Sequence, residues 1–318
     1  NPVFNLSETG GGMEEAQFHT KARGNGLRAR GGKFLSNFGY LNAQHHHYWD
    51  FGDMPLVYEA FLGMHGINEL GAQIQWTAPT PFYLMAGFEV LQGENEQMFG
   101  NATLGDTEDP IAKGEDAPSL YVGYIKSSFD IGDTTIFGGI SYAQGESRID
   151  HSSDEEGPHV FSGDSKLYGA DLVVFHPLSS YSSIKWQSEY LSRDMDGITY
   201  NLDPNDITSV LSNPNIEKKQ SGLYTQLVYT HDKNWKAGVR YDTIFKNDVT
   251  ANGTDTNNPD DFKKYSAMIE YHTSEFARFR VQYNRNEAMY NEDGNRVDVN
   301  TLMFQANIAI GAHAAHSF

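Results

Sequence analysis

The chain has 318 residues, no cysteine and a formal charge of −19. The absence of cysteine excludes disulfides, thiolate metal sites and cysteine nucleophiles, and the acidic balance excludes the basic surface that nucleic-acid binding requires. No apolar run reaches the roughly 18 residues of a membrane helix, but transmembrane strands alternate their faces and hide their apolar half from any average composition.

Segments of alternating polar and apolar residues recur along the chain. In residues 235–245, Val239 and Tyr241 share one face, and Arg240 and Asp242 share the other. Such period-two alternation predicts strands with one apolar and one polar face. The predicted strands, in chain order, are 3–7, 15–22, 27–35, 69–78, 83–92, 120–129, 134–143, 166–176, 182–191, 223–230, 235–245, 264–273, 276–284 and 298–311.

Short and long connections alternate between these strands. The short ones are 79–81, 130–133, 176–180, 231–234 and 273–275, and the long ones are 93–117, 145–165, 192–219 and 246–261. Short periplasmic turns alternating with long extracellular loops are typical of outer-membrane barrels. Aromatic residues at strand ends, such as Trp76 and Tyr83, match the aromatic girdles of such barrels, and the terminal Phe318 matches their last strand.

The sequence therefore predicts an all-β fold, a transmembrane antiparallel β-barrel of about 14 strands. The expected location is the bacterial outer membrane, in contact with lipid and lipopolysaccharide. One stretch departs from the alternation: residues 32–63 read GKFLSNFGYLNAQHHHYWDFGDMPLVYEAFLG. If the C-terminus lies in the periplasm, the alternation of short and long connections can be counted back along the chain. Residues 36–68 then form a single extracellular connection. We expect residues 1–318 to form one barrel with the loop 36–68 folded into its lumen.

The same stretch resembles the block G-[KR]-F-F-S-x-x-G-Y-L-N-x-Q-H-x-H-x-W-D-F-x-D-x-P-L-x-Y-x-A-x-L-G of the proteobacterial zinc-regulated, nominally TonB-dependent, outer-membrane receptors. The opening Asn1 and Pro2 and the ending GAHAAHSF resemble the two ends of that family, and the strands between match only in pattern. The resemblance implies an outer-membrane barrel connected with zinc acquisition. Members of the family have more strand sequence before this block than this chain has. Two further strands there would bring the barrel to 16. The chain is too short for a plug domain and a 22-stranded barrel, which favours porin-like passage.

The histidine run is the most specific local signal for metal chemistry. Imidazole suits zinc, copper and nickel, and in extended backbone alternate histidines point the same way. The candidate constriction or metal residues are His45, His47, Trp49, Asp50, Asp53, His313 and His316. The alternative is that they hydrogen-bond the loop to the barrel wall. No cofactor is required in either case. The acidic loops 93–117 and 145–165 could bind zinc or calcium weakly, and the alternative is a solvated surface or the bridging of lipopolysaccharide through bound divalent cations.

Charged residues on the polar face of the predicted strands are expected to line the lumen. They are Lys185, Glu189, Arg240, Asp242, Glu270, His272, Arg278 and Arg280. Facing basic and acidic residues would create a transverse field that orients polar solutes in a pore. The alternative is a set of internal salt bridges that stiffens the barrel.

The predicted function is porin-like passage of small hydrophilic solutes or divalent metal ions, with zinc implied by the resemblance alone. One alternative is a docking platform for a partner protein with a plugged lumen, and another is a surface metal receptor that feeds a separate transporter. A homo-oligomer is a further expectation. No HExxH, GxSxG or GxxxxGK[ST] motif is present, so no enzymatic activity is predicted.

Overall fold

A computed structural model describes residues 2–7, 10–21, 24, 26–95, 97–106, 108–155, 157–274, 276–290 and 294–308. The strands are β1 (Pro2–Ser7), β2 (Gly10–His19), β3 (Leu27–Leu35), β4 (Asn68–Thr77), β5 (Tyr83–Leu91), β6 (Glu94–Asn95), β7 (Phe99–Gly100), β8 (Leu104–Gly105), β9 (Pro110–Ala112), β10 (Leu120–Ile131), β11 (Thr134–His151), β12 (His159–Ser179), β13 (Ser182–Asp203), β14 (Asp206–Ser212), β15 (Asn215–His231), β16 (Trp235–Ile244), β17 (Asp248–Ala251), β18 (Thr254–Asp255), β19 (Phe262–Ser274), β20 (Ala277–Tyr290) and β21 (Arg296–Ile308). Helix α1 spans Leu56–Leu62, and a 3₁₀ turn spans His46–Tyr48. Over these residues, no helix has the length and apolar character needed to cross a membrane.

Within the described part of the chain, seventeen strands form one sheet. Fourteen of them pair antiparallel in chain order, namely β1, β2, β3, β4, β5, β10, β11, β12, β13, β15, β16, β19, β20 and β21. The other three, β14, β17 and β18, are short and extend the long connections. The predicted antiparallel barrel is confirmed, and fourteen is the lower of the two strand numbers that the sequence allowed.

Two of the predicted long loops are largely strand. β12 and β13 contain 21 and 22 residues, and 22 residues span about 70 Å along the strand. A bilayer core is only about 30 Å thick, so the outer halves of these strands stand above it. The inner face of these outer halves buries side chains such as Val160, Met195 and Leu202, but no lipid covers their outer face, so the apolar–polar alternation that marks a membrane strand is not required.

The two faces of the sheet are inverted relative to a soluble protein. The outward face exposes apolar side chains, including Leu70, Ile74, Phe88, Ile125, Ile140, Val239, Ile269 and Leu302. The inward face buries polar ones, including Glu89, Lys126, Asp171, Gln187, Glu189, Arg240, Asp242, Glu270, Arg280 and Gln282. Lipid outside and a polar lumen inside explain both observations.

Aromatic pairs mark the two edges of the apolar band. On β16 and β19, the rings of Trp235 and Tyr271 lie 4.5 Å apart near the short-turn end, and those of Tyr241 and Tyr265 lie 5.3 Å apart further along. The six residue steps from Trp235 to Tyr241 span about 20 Å, close to the roughly 25 Å height of an outer-membrane apolar band.

The segment between β3 and β4, residues 36–67, lies inside the barrel and is called the inner loop below. Phe38, Val57 and Phe61 in it are fully buried and pack with inward-facing apolar residues of the wall. The predicted inward-folded loop is therefore confirmed as part of the fold. That residues 1–318 form a single domain stays a prediction.

Candidate functional site

The inner loop enters the lumen at the level of the long loops, descends and climbs back. Its two ends are joined by a backbone bond from Ser36 N to Ile67 O of 2.9 Å. Asn42 reinforces this junction, since its side chain donates to both Ser36 O and Ile67 O and accepts from Ile67 N. The lowest point is the 3₁₀ turn, where His47 O accepts a hydrogen bond from Arg278, one residue beyond the start of β20.

A backbone inside a barrel has no strand beside it, so its N–H and C=O groups need other partners. Carboxylates of the wall take up the N–H groups. Glu89 accepts from Asn37 N at 3.0 Å, and Glu189 accepts from Tyr40 N and Leu41 N at 2.7 and 2.9 Å.

The same logic holds further along the inner loop. Asp242 accepts from Leu56 N at 3.1 Å, at the first residue of α1. Gly39 permits the close approach to Glu189: it has φ of +61°, and a Cβ there would lie 2.6 Å from the Glu189 carboxylate. Any residue with a side chain would be strained at this position and would push the loop off its acceptor.

Cations of the wall take up the carbonyl groups. Lys126 donates to Gly39 O, Arg280 donates to Trp49 O at 2.9 Å, and Lys264 donates to Met54 O at 3.2 Å. Of the charges predicted to line the lumen, Glu189, Asp242 and Arg280 thus serve as hydrogen-bond partners of the inner loop, whereas Lys126 and Lys264 were not predicted.

Residues 49–56 of the inner loop are called its lower limb below. Asp53 is the most heavily bonded acidic residue in this limb. Its carboxylate lies 2.8 Å from both Arg240 and Lys264, and Gln282 and Asn284 also donate to it. Burial alone would raise the pKa of Asp53, but the two cations outweigh burial and lower the pKa to about 2. Asp53 therefore ties three strands of the wall, β16, β19 and β20, to the loop.

Asp50 makes a second tie on the opposite side of the lower limb. It contacts Lys185 directly and lies 3.8 Å from Lys236. Burial would raise the pKa of Asp50, but these lysines outweigh it and the pKa lies below its usual value. Both aspartates that the sequence offered as metal ligands are thus occupied by cationic side chains.

Glu270 organises the remaining predicted lumen charges. It is fully buried, lies 2.5 Å from Arg280 and 3.5 Å from Arg278, and shares a 2.6 Å hydrogen bond with His272. Arg240 likewise contacts Asp242 at 2.9 Å. These contacts match the alternative hypothesis for the lumen charges, a set of internal salt bridges. That the charges line an open pore stays a prediction.

The histidines of the run have partners different from those of Asp50 and Asp53. His45 Nε2 lies 3.4 Å from Glu15 of β2, and the rings of His45 and His47 stack with centroids 5.4 Å apart. Trp49 is buried, and its indole N–H donates to Gln44 O. Among the residues with described positions, no three His, Asp or Glu side chains converge as for a metal ion. His313 and His316 lie outside the described residues, and a zinc site stays a prediction.

The inner loop and the barrel wall enclose a small cavity. It has a volume of about 10 Å³, lies between the loop and strands β13, β15 and β16, and is bounded by residues such as Trp49, Asp53 and Gln226. This is about the volume that one water molecule needs. A larger solute does not fit this cavity unless the inner loop moves.

Sequence reasoning missed several residues that hold the inner loop. Lys264, Gln282 and Asn284 contact Asp53, yet none was singled out beforehand. A signal was present, because Lys264 shares strand parity with Glu270, and Gln282 and Asn284 share it with Arg280. The odd or even position of a residue along a strand predicts which face its side chain lies on. The depth that the inner loop reaches in the barrel decides which residues on the inward face contact the loop.

Comparison with known proteins supports the fold. No family model matches the chain. OmpT, an outer membrane protein of Vibrio cholerae, in an in-vitro folded form, matches with a TM-score of 0.53 at 14% identity, over 96% of this chain and 79% of its own. Its loop L8 deletion mutant matches with a TM-score of 0.57 at 14% identity, over 96% and 82%. The predicted outer-membrane location is confirmed, whereas neither match supports the zinc part of the family resemblance.

The prediction that the chain has no enzymatic activity is corrected by these neighbours. The solved barrels that it resembles include OmpT, and a likeness at 14% identity shows the fold alone. The enzymatic status of the chain is therefore open.

A relative in sequence was also found. An uncharacterized protein of Aquifex aeolicus (strain VF5) is 44% identical over 324 residues, which covers all of this chain and 67% of that protein. Identity at this level over the full chain shows common descent and a shared fold. The chain belongs to the same family as this Aquifex aeolicus protein, and it is an outer-membrane β-barrel.

Proposed function

We propose that the protein is an outer-membrane channel for small hydrophilic solutes, divalent cations included, and that the inner loop closes it in the conformation described. The observation that carries the proposal is the chemistry of the lumen. Its wall presents polar and charged side chains from β5 round to β20, and the lower limb of the inner loop is held to this wall by hydrogen bonds and ion pairs.

The polar contacts of the inner loop can be replaced by water, at a net cost of about 0.5–1.5 kcal/mol for a neutral hydrogen bond and about 1.5–3 kcal/mol for a bond to a charged group. Movement of the loop would also expose buried apolar residues such as Phe51 and Met54, at about 25 cal/mol per Å². A passage along the freed wall would run between basic residues such as Arg240 and acidic ones such as Glu189. Rings of charged side chains of this type select and orient ions in pores.

Single-channel recording of the purified full chain in planar bilayers tests the proposal. We expect brief openings in the wild-type protein and longer ones when both ties of the inner loop are weakened in the Asp50→Asn/Asp53→Asn variant. A folded barrel that never conducts, in either form, would overturn the channel proposal. Folding is checked by the change in electrophoretic mobility on heating.

The same recordings address zinc. Openings that zinc blocks or shifts, with the effect lost in His45→Ala/His47→Ala, would extend the proposal to a metal-handling channel. Openings that zinc leaves unchanged would make the protein a general porin. The exposed Tyr48 is a suitable control, since Tyr48→Ala alters the same turn without removing an imidazole.

A second candidate function is a docking platform. The inner loop occupies the lumen, and its tip exposes His46, His47 and Tyr48 towards the short-turn end. An exposed aromatic tip is a surface that a periplasmic protein could contact. Absence of conductance in a folded barrel would favour this function over the channel.

A further inference from the structure

We propose that a cavity at the long-loop end of the barrel binds a small organic acid that carries an apolar group, and that Arg193 recognises its carboxylate. The cavity has a volume of about 580 Å³ and lies between α1 and the outer ends of β15, β16, β19 and β20. Small-molecule sites typically have volumes of 300–1,000 Å³. The site would bind its ligand whether or not the barrel conducts.

Arg193 lines this cavity and is 8% exposed. Its guanidinium donates to Ala60 O at 3.3 Å and to Gln220 Oε1 at 2.7 Å, and it lies 4.3 Å from the centre of the Phe61 ring. These two hydrogen bonds use only part of the five N–H donors of an arginine, and the Nε atom is buried without a partner.

The absence of a counter-charge distinguishes Arg193 from other arginines in the lumen. Arg240 and Arg280 both lie within 3 Å of a carboxylate. Among the side chains that the structure describes, none supplies Arg193 with a carboxylate within 4.0 Å. A buried cation that lacks a counter-ion is costly, and an anionic ligand would remove that cost while making a charge-assisted bond.

The other walls of the cavity fit the rest of such a ligand. Ile244, Phe262 and Met289 supply an apolar surface. Asn247 also lines the cavity, and its side-chain oxygen is buried without a hydrogen-bond partner, so rotation of this side chain towards the cavity would let a hydroxyl or N–H group of the ligand donate to it. The geometry thus fits an acid with an apolar group and one hydrogen-bond donor, such as an aromatic hydroxy acid.

The overall charge of −19 does not prevent such binding. At physiological ionic strength, exposed charges are largely screened beyond about 8 Å. Glu59, which also lines the cavity, is exposed to water. Arg193 is buried, where the lower local dielectric strengthens its attraction for an anion.

Isothermal titration of the full-length barrel in detergent, at physiological ionic strength, tests the proposal with mandelate as the probe. We expect saturable binding of mandelate. Mandelamide, which is neutral and of similar shape, should bind at least tenfold more weakly, and phenylacetate, which lacks the hydroxyl group, should bind several-fold more weakly. Equal affinity for mandelate and mandelamide, or no saturable binding of mandelate, would overturn the proposal without recourse to any variant.

Two variants locate the site. Arg193→Gln should lower the affinity for mandelate at least tenfold, whereas the matched control Arg285→Gln, which removes an exposed arginine, should leave it unchanged. Ala288→Trp should weaken binding several-fold, because the indole would occupy part of the cavity while the Arg193 guanidinium group stays in place. Wild-type affinity in folded Ala288→Trp would place the binding elsewhere and defeat the proposal, even if Arg193→Gln failed to fold.

Discussion

Glu189 illustrates how one side chain of the wall can hold the inner loop. It is buried and accepts four hydrogen bonds, from the backbone N–H groups of Tyr40 and Leu41 and from the hydroxyl groups of Tyr58 and Tyr224. Burial and the adjacent Glu189 carboxylate raise the pKa of Tyr58 well above its usual value. Its hydroxyl group therefore remains a donor at any physiological pH.

Replacing Glu189 by Gln should loosen the inner loop. The amide keeps the shape of the carboxylate, but it loses the charge and turns one acceptor into a donor that faces other donors. We expect the docked loop to lose about 2–3 kcal/mol, seen as longer channel openings in planar bilayers. Glu217→Gln on the exposed outer part of β15 is the control, and identical openings in the two variants would contradict the role given to Glu189.

Asp53 should make the closed state sensitive to acid. Its pKa is about 2 with the loop docked and 3.8 in the absence of interactions. The lower pKa of the docked state means that ionised Asp53 stabilises docking above pH 3.8, and that this stability is lost as the pH falls towards 2. The difference corresponds to about 2 kcal/mol.

Conductance should therefore rise between about pH 4 and pH 2, as recorded in bilayers at stepped pH. In Asp53→Asn the rise over this interval should be smaller, because the amide does not titrate. Asp206→Asn, on an exposed extracellular hairpin, should titrate as the wild type does. A rise of equal size in Asp53→Asn would assign the acid response to another group.

At the scale of the elements, the sequence predicted the membrane-spanning strands because alternation is imposed by lipid on one side and the lumen on the other. It did not predict the outer halves of β12 and β13, which stand above the bilayer core, where no lipid imposes an apolar outer face. The alternation of short and long connections correctly predicted the position of the inner loop. It did not predict which wall residues the loop contacts. The pairing of Asp53 with Lys264 joins residues more than 200 positions apart, and no local pattern encodes it.

The inverted faces of the strands allow a direct test with a pair of matched substitutions. Val239 lies on the outward face of β16, within the apolar band, and is 58% exposed. Val239→Arg should lower the free energy of unfolding in lipid vesicles by roughly 2–4 kcal/mol. Val210→Arg, on the exposed hairpin strand β14, should change it by less than about 0.5 kcal/mol. Equal effects, measured by urea denaturation, would be inconsistent with a lipid-facing Val239.

At the scale of the whole molecule, two sets of hydrogen bonds differ in strength. The barrel strands are joined by long, continuous ladders such as that between β12 and β13. The lower limb of the inner loop is held by separate contacts with side chains, such as the hydrogen bond that Gln282 Oε1 accepts from Gly52 N. Local opening takes the least stable set first, so the loop should leave the wall well before the barrel unfolds.

Moderate urea should therefore open the channel while the barrel stays intact. We expect vesicles that contain the protein to leak a small hydrophilic dye at urea concentrations at which the heat-dependent mobility shift of the folded barrel is retained. In Glu189→Gln the leak should begin at a lower urea concentration. Leakage that coincides with loss of the folded band in both proteins would show that loop and barrel unfold as one unit.

The position of the inner loop also has a consequence for how the protein is made. Its contacts reach from Glu15 on β2 to Gln282 on β20, and a polar segment with so many partners would be slow to thread into a finished cylinder. β3 and β4, which flank it, are among the first strands of the chain. We infer that the later strands assemble around the inner loop. The segment proposed to close the mature barrel would then also determine the order in which its strands fold.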